Sequence, residues 1–198
     1  MTMNPRTPAR WWAACCLMAA ALLMAATTVQ AAERHCQNGV GKKRASTPMS
    51  EFVLNQDGTV VHNRTRLQWA RCSLGQSWDG SGCTGQATVH SWEDATDAIG
   101  QFNAAGLGGH QDWRLPTAQE LMSIVEQCRH APAINVDVFP DTPRSGYWSS
   151  TVHRDQANPT FVGFHLGLEQ TWLSRSSYRV RPVRAAGFHQ VDVLQVPH

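Results

Sequence analysis

The chain has 198 residues, of which 17 are Lys or Arg and 15 are Asp or Glu, giving a formal net charge of +2. Proteins that bind nucleic acid non-specifically need a strongly cationic surface, so this balance excludes that class. The length suits one domain with a hydrophobic core and is short for two.

Residues 1–31 have the features of a signal peptide. Arg6 and Arg10 form a basic start, an apolar run follows at 11–26, and Val29-Gln30-Ala31 supplies a cleavage site. A membrane anchor is the rival interpretation, but the apolar run is shorter than the roughly 20 residues that span a bilayer. We therefore expect export to the periplasm or the cell exterior, with no membrane span left after cleavage.

Four cysteines follow this segment, namely Cys36, Cys72, Cys83 and Cys128. An even number in an oxidising compartment predicts two disulfides, and four cysteines allow three pairings. The span between Cys72 and Cys83 is rich in Gly and Ser and could close as a local loop, which leaves Cys36 with Cys128. A zinc site is the alternative, but no Cys-x-x-Cys or Cys-x-x-His pair supports it. We expect neither a metal nor a cofactor.

The remaining chain divides into three parts by composition. Residues 32–50 are polar and basic without periodicity, which predicts an irregular lead-in. Residues 51–185 carry the periodic patterns of a folded domain, and 186–198 are predicted to be a loosely held tail. No internal repeat is visible.

The domain begins with patterns typical of short strands, at 52–54, 59–61 and 67–70. Asn55-Gln56-Asp57-Gly58 separates the first two and predicts a turn. The stretch from 73 to 89 is predicted to be a loop.

Two helices come next. Ser91 caps the first, whose apolar face is predicted to carry Trp92, Ala95, Ile99 and Phe102, and a glycine-rich stretch ends it. The second begins after a capping box formed by Thr117 and Glu120, and Pro132 ends it. Its predicted buried stripe contains Leu121, Ile124, Val125 and Cys128.

After the second helix the pattern changes to period 2, which predicts strands. The predicted strands lie at 147–151, 160–166, 170–174 and 178–184, with Gly167 in a hairpin turn. The sequence therefore predicts an α+β domain in which a small early sheet and two helices precede an antiparallel meander.

Several ordered blocks resemble the Lcl C-terminal domain family over about residues 52–184. The most specific block is Asp112-Trp113-Arg114-Leu115-Pro116-Thr117, followed by Glu120-Leu121. The other blocks are Asp57-Gly58-Thr59-Val60, Leu67-Gln68-Trp69, Ser91-Trp92-Glu93-Asp94-Ala95, Tyr147-Trp148-Ser149-Ser150-Thr151 and the closing residues 178–184. One departure is that Arg66-Leu67-Gln68-Trp69 stands where the family usually has Gly-Leu-Met-Trp.

The resemblance implies a C-type-lectin-like fold, in which two helices pack on a looped antiparallel sheet. The founding member of the family is a surface adhesin that binds sulfated glycosaminoglycans, so the resemblance also implies ligand binding outside the cytoplasm. This chain has no collagen-like Gly-x-y tract. The ligand therefore has to be argued from the site itself.

Asp112, Trp113 and Arg114 precede the second helix with its Thr117 and Glu120, and this position favours a structural role. Trp78 and Trp172 are the candidates for stacking on a sugar ring; the alternative is that each packs over the sheet.

A second set of candidates is cationic. Arg175, Arg179 and Arg181, with Arg184 nearby, form a local cluster whose guanidinium groups match sulfate or carboxylate. A solvated sheet face with ion pairs to Glu169 is the alternative.

No catalytic constellation is readable. The chain has no Gly-x-Ser-x-Gly motif, and its nine histidines show no metal-ligand spacing. No cysteine follows Cys128, so the nucleophile of the related formylglycine-generating enzymes has no counterpart. We expect a non-catalytic binding domain for a sulfated or acidic glycan or a surface protein. The alternative is a structural or assembly module of an envelope or pilus complex.

Overall fold

The computed structural model describes residues 44–153 and 158–187. In this part the chain contains two α-helices and three antiparallel sheets, which confirms the predicted α+β class. No helix within it is long and apolar enough to cross a membrane. The predicted signal peptide, Cys36 and the residues after 187 lie outside the described residues.

The strands are β1 (Phe52–Leu54), β2 (Thr59–His62), β3 (Leu67–Ala70), β4 (Ser77–Trp78), β5 (Cys83–Thr84), β6 (Gly146–Val152), β7 (Pro159–Gly163), β8 (Leu168–Thr171) and β9 (Val183–Ala185). The helices are α1 (Trp92–Ala105) and α2 (Ala118–Ser123).

The early strands form a four-stranded sheet in the order β1-β2-β3-β9. Its inner face carries Val60, Trp69 and Val183, which lie opposite one another across β2, β3 and β9 and are fully buried. Side chains alternate between the faces of a strand, so the residues between these point outward. The early sheet thus has one face in the core and one outer face, on which Thr59 and Gln68 are also buried.

β9 reaches this sheet from the far end of the chain. The predicted strand at 178–184, as part of the late meander, is wrong, because only Val183–Ala185 form a strand and they pair with β3. Pro182 has no amide hydrogen to donate, and the side chain of Arg181 turns into the core beside it. These two residues end any pairing with the late sheet before β9 begins.

The late strands form the predicted meander, β6-β7-β8, and Gly167 makes the predicted turn with φ 72°. Tyr147 and Val162 face the main core, and Trp148 and Phe161 face a second core beneath α1. β8 begins at Leu168 and ends at Thr171, so the strand predicted at 170–174 is displaced towards the N-terminus. Beyond its end, the carbonyl of Ser174 accepts a hydrogen bond from the backbone amide of Trp92 at the start of α1.

Both helices begin where the capping signals predict. The Ser91 hydroxyl accepts from the Asp94 amide at 3.2 Å, and Thr117 with Glu120 forms a complete capping box. α2 is shorter than predicted, although its stripe from Leu121 to Cys128 is buried. Val125 leaves the helix to pair with Ile134, and the amide of Glu126 bonds to the carbonyl of Ala133.

A cross-linked loop joins the early sheet to α1. The predicted Cys72–Cys83 disulfide is present, and inside it β4 and β5 form a two-stranded ribbon where the sequence predicted only a loop. Cys128 is also disulfide-bonded. Its predicted partner, Cys36, is outside the described residues.

Candidate functional site

The residues predicted to bind a ligand do not come together. Arg181 is fully buried, and the prediction that it lies on a surface that binds anions is wrong. Its guanidinium donates to the carbonyls of Ala70, at 3.0 Å, and Arg71, and to the Thr142 hydroxyl at 2.8 Å. It also lies 4.9 Å from the centre of the Phe139 ring. Burial lowers the pKa of Arg181.

Trp78 is half-buried and takes part in packing the disulfide loop. The Arg71 guanidinium lies 4.1 Å from its ring centre and covers one face of the indole. Its Nε1 donates to the Gln56 carbonyl at 3.0 Å, and a Cβ added to Gly58 would lie 2.6 Å from the Cβ of Trp78. The indole therefore anchors the loop to the β1–β2 turn. Because Arg71 covers one of its two faces, only the other face could stack on a sugar ring.

Trp172 and Arg175 are exposed on the segment that follows β8. A turn closes there with a 3.0 Å bond from the Ser176 amide to the Leu173 carbonyl. Arg179 is half-buried beside β6, and its Nε has no hydrogen-bond partner among the described residues. Trp172 and Arg175 are thus exposed side chains on this turn and remain available for binding.

The Asp112 to Glu120 block holds the two helices and β9 together. Trp113 is buried, and its amide and carbonyl both bond to the Asn103 side chain of α1. Arg114 binds Glu120 through two bonds of 2.8 and 2.6 Å, and Glu120 accepts from the Thr117 amide. Burial raises the pKa of Glu120, but these bonds outweigh burial and bring it below its ordinary value.

A groove crosses the outer face of the four-stranded sheet. Its floor is a row of side chains from neighbouring strands, Val53, Val61, Gln68 and Arg184, which lie opposite one another in register. The turns of the two hairpins form the rims. One rim contains Asn55, Gln56 and Asp57 of the β1–β2 turn with His110, and the other contains Asn63 and Arg66 of the β2–β3 turn with Ala186 and Gly187. These residues, which we call the sheet groove, enclose a cavity of about 680 Å³.

A hydrogen-bonded network fixes the polar end of the floor. Asp112 accepts from Arg184 Nε at 2.6 Å, and this bond lowers the pKa of Asp112. Arg184 also donates to Gln68, whose amide donates to the Thr59 hydroxyl at 2.9 Å. Thr59 donates in turn to Asp57 at 2.7 Å. The floor is thus rigid before any ligand arrives.

The rim residue Arg66 differs from the floor in having no internal partner. It is exposed, and its guanidinium makes no hydrogen bond or ion pair with any other described residue. Its backbone has φ 56°, a left-handed conformation that favours glycine. The side-chain amides of Asn63, on the same rim, and of Gln56, on the opposite rim, also make no hydrogen bond to another described residue.

Sequence reasoning did not find the sheet groove, although one signal pointed to it. Arg66 and Gln68 are the positions at which the chain departs from the Gly-Leu-Met-Trp pattern that the resemblance leads one to expect, and both line the groove. The positive φ of Arg66 explains the usual glycine. An arginine there accepts backbone strain and gains a guanidinium at the rim.

The comparison with known families places the chain. The Lcl C-terminal domain model matches residues 58–184, from the turn before β2 to the middle of β9. No curated protein matches the chain. The match spans well over half of the sequence and includes Arg66, Gln68, His110 and Arg184 of the groove. The chain belongs to the Lcl C-terminal domain family.

Proposed function

We propose that this chain is an exported, non-catalytic binding domain and that its sheet groove binds an anionic glycan. The observation that carries the proposal is Arg66, a strained and unpaired arginine at the rim of a preformed cavity. Residues held in such conformations cluster at functional sites, and a guanidinium presented at the rim is what the chain gains from an arginine at this position. Concave sites lined by a few fixed polar groups are the usual places for ligands.

The chemistry of the groove suits a sugar with an acidic substituent. Val53 and Val61 offer an apolar floor for the C–H face of a ring, and the amides of Asn63 and Gln56 can bond to hydroxyl groups. The guanidinium of Arg66 matches sulfate or carboxylate with two parallel bonds.

The local charges point to one anionic group for each site. Arg184 is neutralised by Asp112, and Asp57 accepts from the amide and hydroxyl of Thr59. Both carboxylates therefore have partners already, which supports binding over general acid or base chemistry. Asp57 keeps its negative charge on the opposite rim, so Arg66 is the cation without a carboxylate partner, and an acidic group would bind on the Arg66 side of the groove.

Export is supported by the disulfides. The Cys72–Cys83 bond closes the loop that carries Trp78, and Cys128 is disulfide-bonded as well. Such cross-links persist in oxidising compartments and are rare in a reducing cytosol. The basic and apolar pattern of residues 1–31 agrees with this location.

Heparin affinity chromatography tests the proposal. We expect the purified protein to be retained at low ionic strength and to elute with salt. Arg66→Gly should elute at clearly lower salt, whereas Arg175→Ala, which removes the same charge from an exposed turn, should elute like the parent. Loss of retention in Arg175→Ala alone would move the site to that turn. Passage of the parent protein through the column at low salt would contradict glycan binding.

The structural or assembly role is the second candidate, and a specific observation favours it. Leu166, Leu168, Trp172 and Leu173 are between 47% and 60% exposed around β8. Apolar side chains grouped at a sheet edge are typical of contact with another protein.

A further inference from the structure

β8 leaves one backbone edge unpaired. It is the outer strand of its sheet, and within the described ranges no strand lies on its far side. The amide of Trp172 donates to the carbonyl of Pro159, and ladder bonds alternate along an antiparallel pair. The backbone groups of Leu168 and Gln170 therefore also face β7, and those of Glu169 and Thr171 point outward.

This edge carries few of the features that normally prevent strands from adding to one another. β8 contains neither Pro nor Lys, and Glu169 is its single charge. Leu168 and Trp172 are 50% and 55% exposed and point to the same side of the strand. An exposed apolar edge of this kind is a template for another strand.

We infer that β8 pairs antiparallel with β8 of a second copy of the chain, about a two-fold axis at Gln170. In this register Leu168 lies opposite Trp172 of the second copy, and Glu169 lies opposite Thr171. The outward backbone groups of Glu169 and Thr171 then bond across the interface. The two three-stranded sheets become one sheet of six strands, and neither copy keeps a free β8 edge.

Charge and shape favour this register over the one centred on Glu169. A two-fold axis perpendicular to the sheet keeps the apolar sides of both β8 strands on the same face of the joined sheet. Such an axis must lie at a residue that pairs with the same residue of the second copy. An axis at Glu169 would place two carboxylates opposite each other, which is unfavourable. The axis at Gln170 places the two Gln170 side-chain amides opposite each other, where they can bond. It also places Leu168 of each copy opposite Trp172 of the other. The interface is isologous and closes after two copies.

The inference does not depend on the proposed function. No β8 residue lines the sheet groove, which lies on the other sheet. A dimer would present two grooves, and a polymeric glycan could engage both with a gain in avidity.

Sedimentation velocity of the purified protein over a range of concentrations tests the inference. We expect a reversible monomer–dimer equilibrium. Gln170→Glu should weaken the dimer at least ~10-fold, because it places two carboxylates at the axis. Gln86→Glu, the same change on the exposed segment after the disulfide loop, should leave the dimer unaffected. A parent protein that stays monomeric, a larger assembly, or an unaffected Gln170→Glu dimer would each overturn the inference.

A charge-swap pair tests the register. Thr171→Glu should dissociate the dimer because residue 171 faces Glu169 of the second copy. Adding Glu169→Lys to that variant should restore the dimer. With an axis at Glu169 the second change would instead bring two lysines together, so failure of the double variant to dimerise would rule out the Gln170 register. Thermal unfolding of each variant at a concentration where it is monomeric checks that the fold is intact.

Discussion

Arg181 and Arg66 are arginines of the same domain in opposite environments, one buried and one exposed. Arg181 lies in the core, where the carbonyls of Ala70 and Arg71 and the Thr142 hydroxyl receive its hydrogens. Arg66 lies on the rim of the sheet groove, exposed and without a partner in the described part of the chain. The difference shows that positive charge in a sequence does not indicate an anion site by itself. What matters is how far the protein already supplies the guanidinium with partners: Arg181 has them for both terminal nitrogens and lacks one only at Nε among the described residues.

The largest loss of stability should follow from replacing Arg181, the buried arginine of the pair. Arg181→Met leaves the two carbonyls and the Thr142 hydroxyl without their donor and opens space beside Phe139. We expect the free energy of unfolding to fall by about 3–5 kcal/mol. Urea denaturation of the purified variant measures it. A loss below ~1 kcal/mol would mean that the Arg181 bonds are not structural.

The next largest loss of stability should follow from removing the Cys72–Cys83 disulfide. Its loop connects the region around Arg181 to the sheet groove through Trp78. Replacing Cys72 and Cys83 together with Ser should cost about 3 kcal/mol, as expected for a closed loop of this length. The loosened loop should also expose Trp78 and shift its fluorescence to the red. Parent and variant are compared under oxidising conditions, because reduction would also break the disulfide of Cys128.

The buried carboxylate of Glu126 extends the comparison to an acidic side chain. Glu126 accepts from the amides and hydroxyls of Ser46 and Thr47 and from the Cys128 amide. Burial raises the pKa of Glu126, but these bonds outweigh burial and leave the pKa below its ordinary value. Replacement by Gln should cost about 1–3 kcal/mol at neutral pH, because an amide cannot accept all of these bonds.

The pH dependence follows from that direction of shift. Since the folded-state pKa of Glu126 lies below the unfolded-state value of about 4.3, its contribution is complete above that value. The contribution is lost as the pH falls through the folded-state pKa. The difference in unfolding free energy between the parent and Glu126→Gln should therefore shrink in acid. A difference independent of pH would show that the carboxylate charge is not involved.

The smallest effect on stability should come from Arg66→Gly, and its sign is opposite. Glycine adopts φ 56° without the strain that an arginine carries there, while its greater freedom in the unfolded chain offsets part of the gain. We expect the free energy of unfolding to stay the same or rise by less than about 1 kcal/mol. A clear loss of stability would assign Arg66 a structural role and remove the contrast with Arg181.

Local signals in the sequence predicted the local structure well. The capping residues Ser91 and Thr117 set where α1 and α2 begin, and Gly167 set the β7–β8 turn. These features depend on neighbouring residues alone, so the sequence displays them directly.

Features that depend on distant parts of the chain were not predictable in this way. α2 ends early because Val125 pairs with Ile134, and β9 joins a sheet formed more than a hundred residues earlier. The alternating pattern at 178–184 is compatible with a solvated strand, and only the tertiary fold turns Arg181 inward. The sheet groove combines residues from the early hairpins, His110 and the end of β9 for the same reason.

The most direct test of the account is a titration of a heparin oligosaccharide into the parent protein and into Arg66→Gly, with Arg175→Ala as the charge-matched control. The account predicts that Arg66→Gly binds at least ~10-fold more weakly while remaining as stable as the parent, because a charge-assisted bond is lost without loss of packing. Equal affinities of the parent and Arg66→Gly for the oligosaccharide would contradict the sheet groove as the binding site.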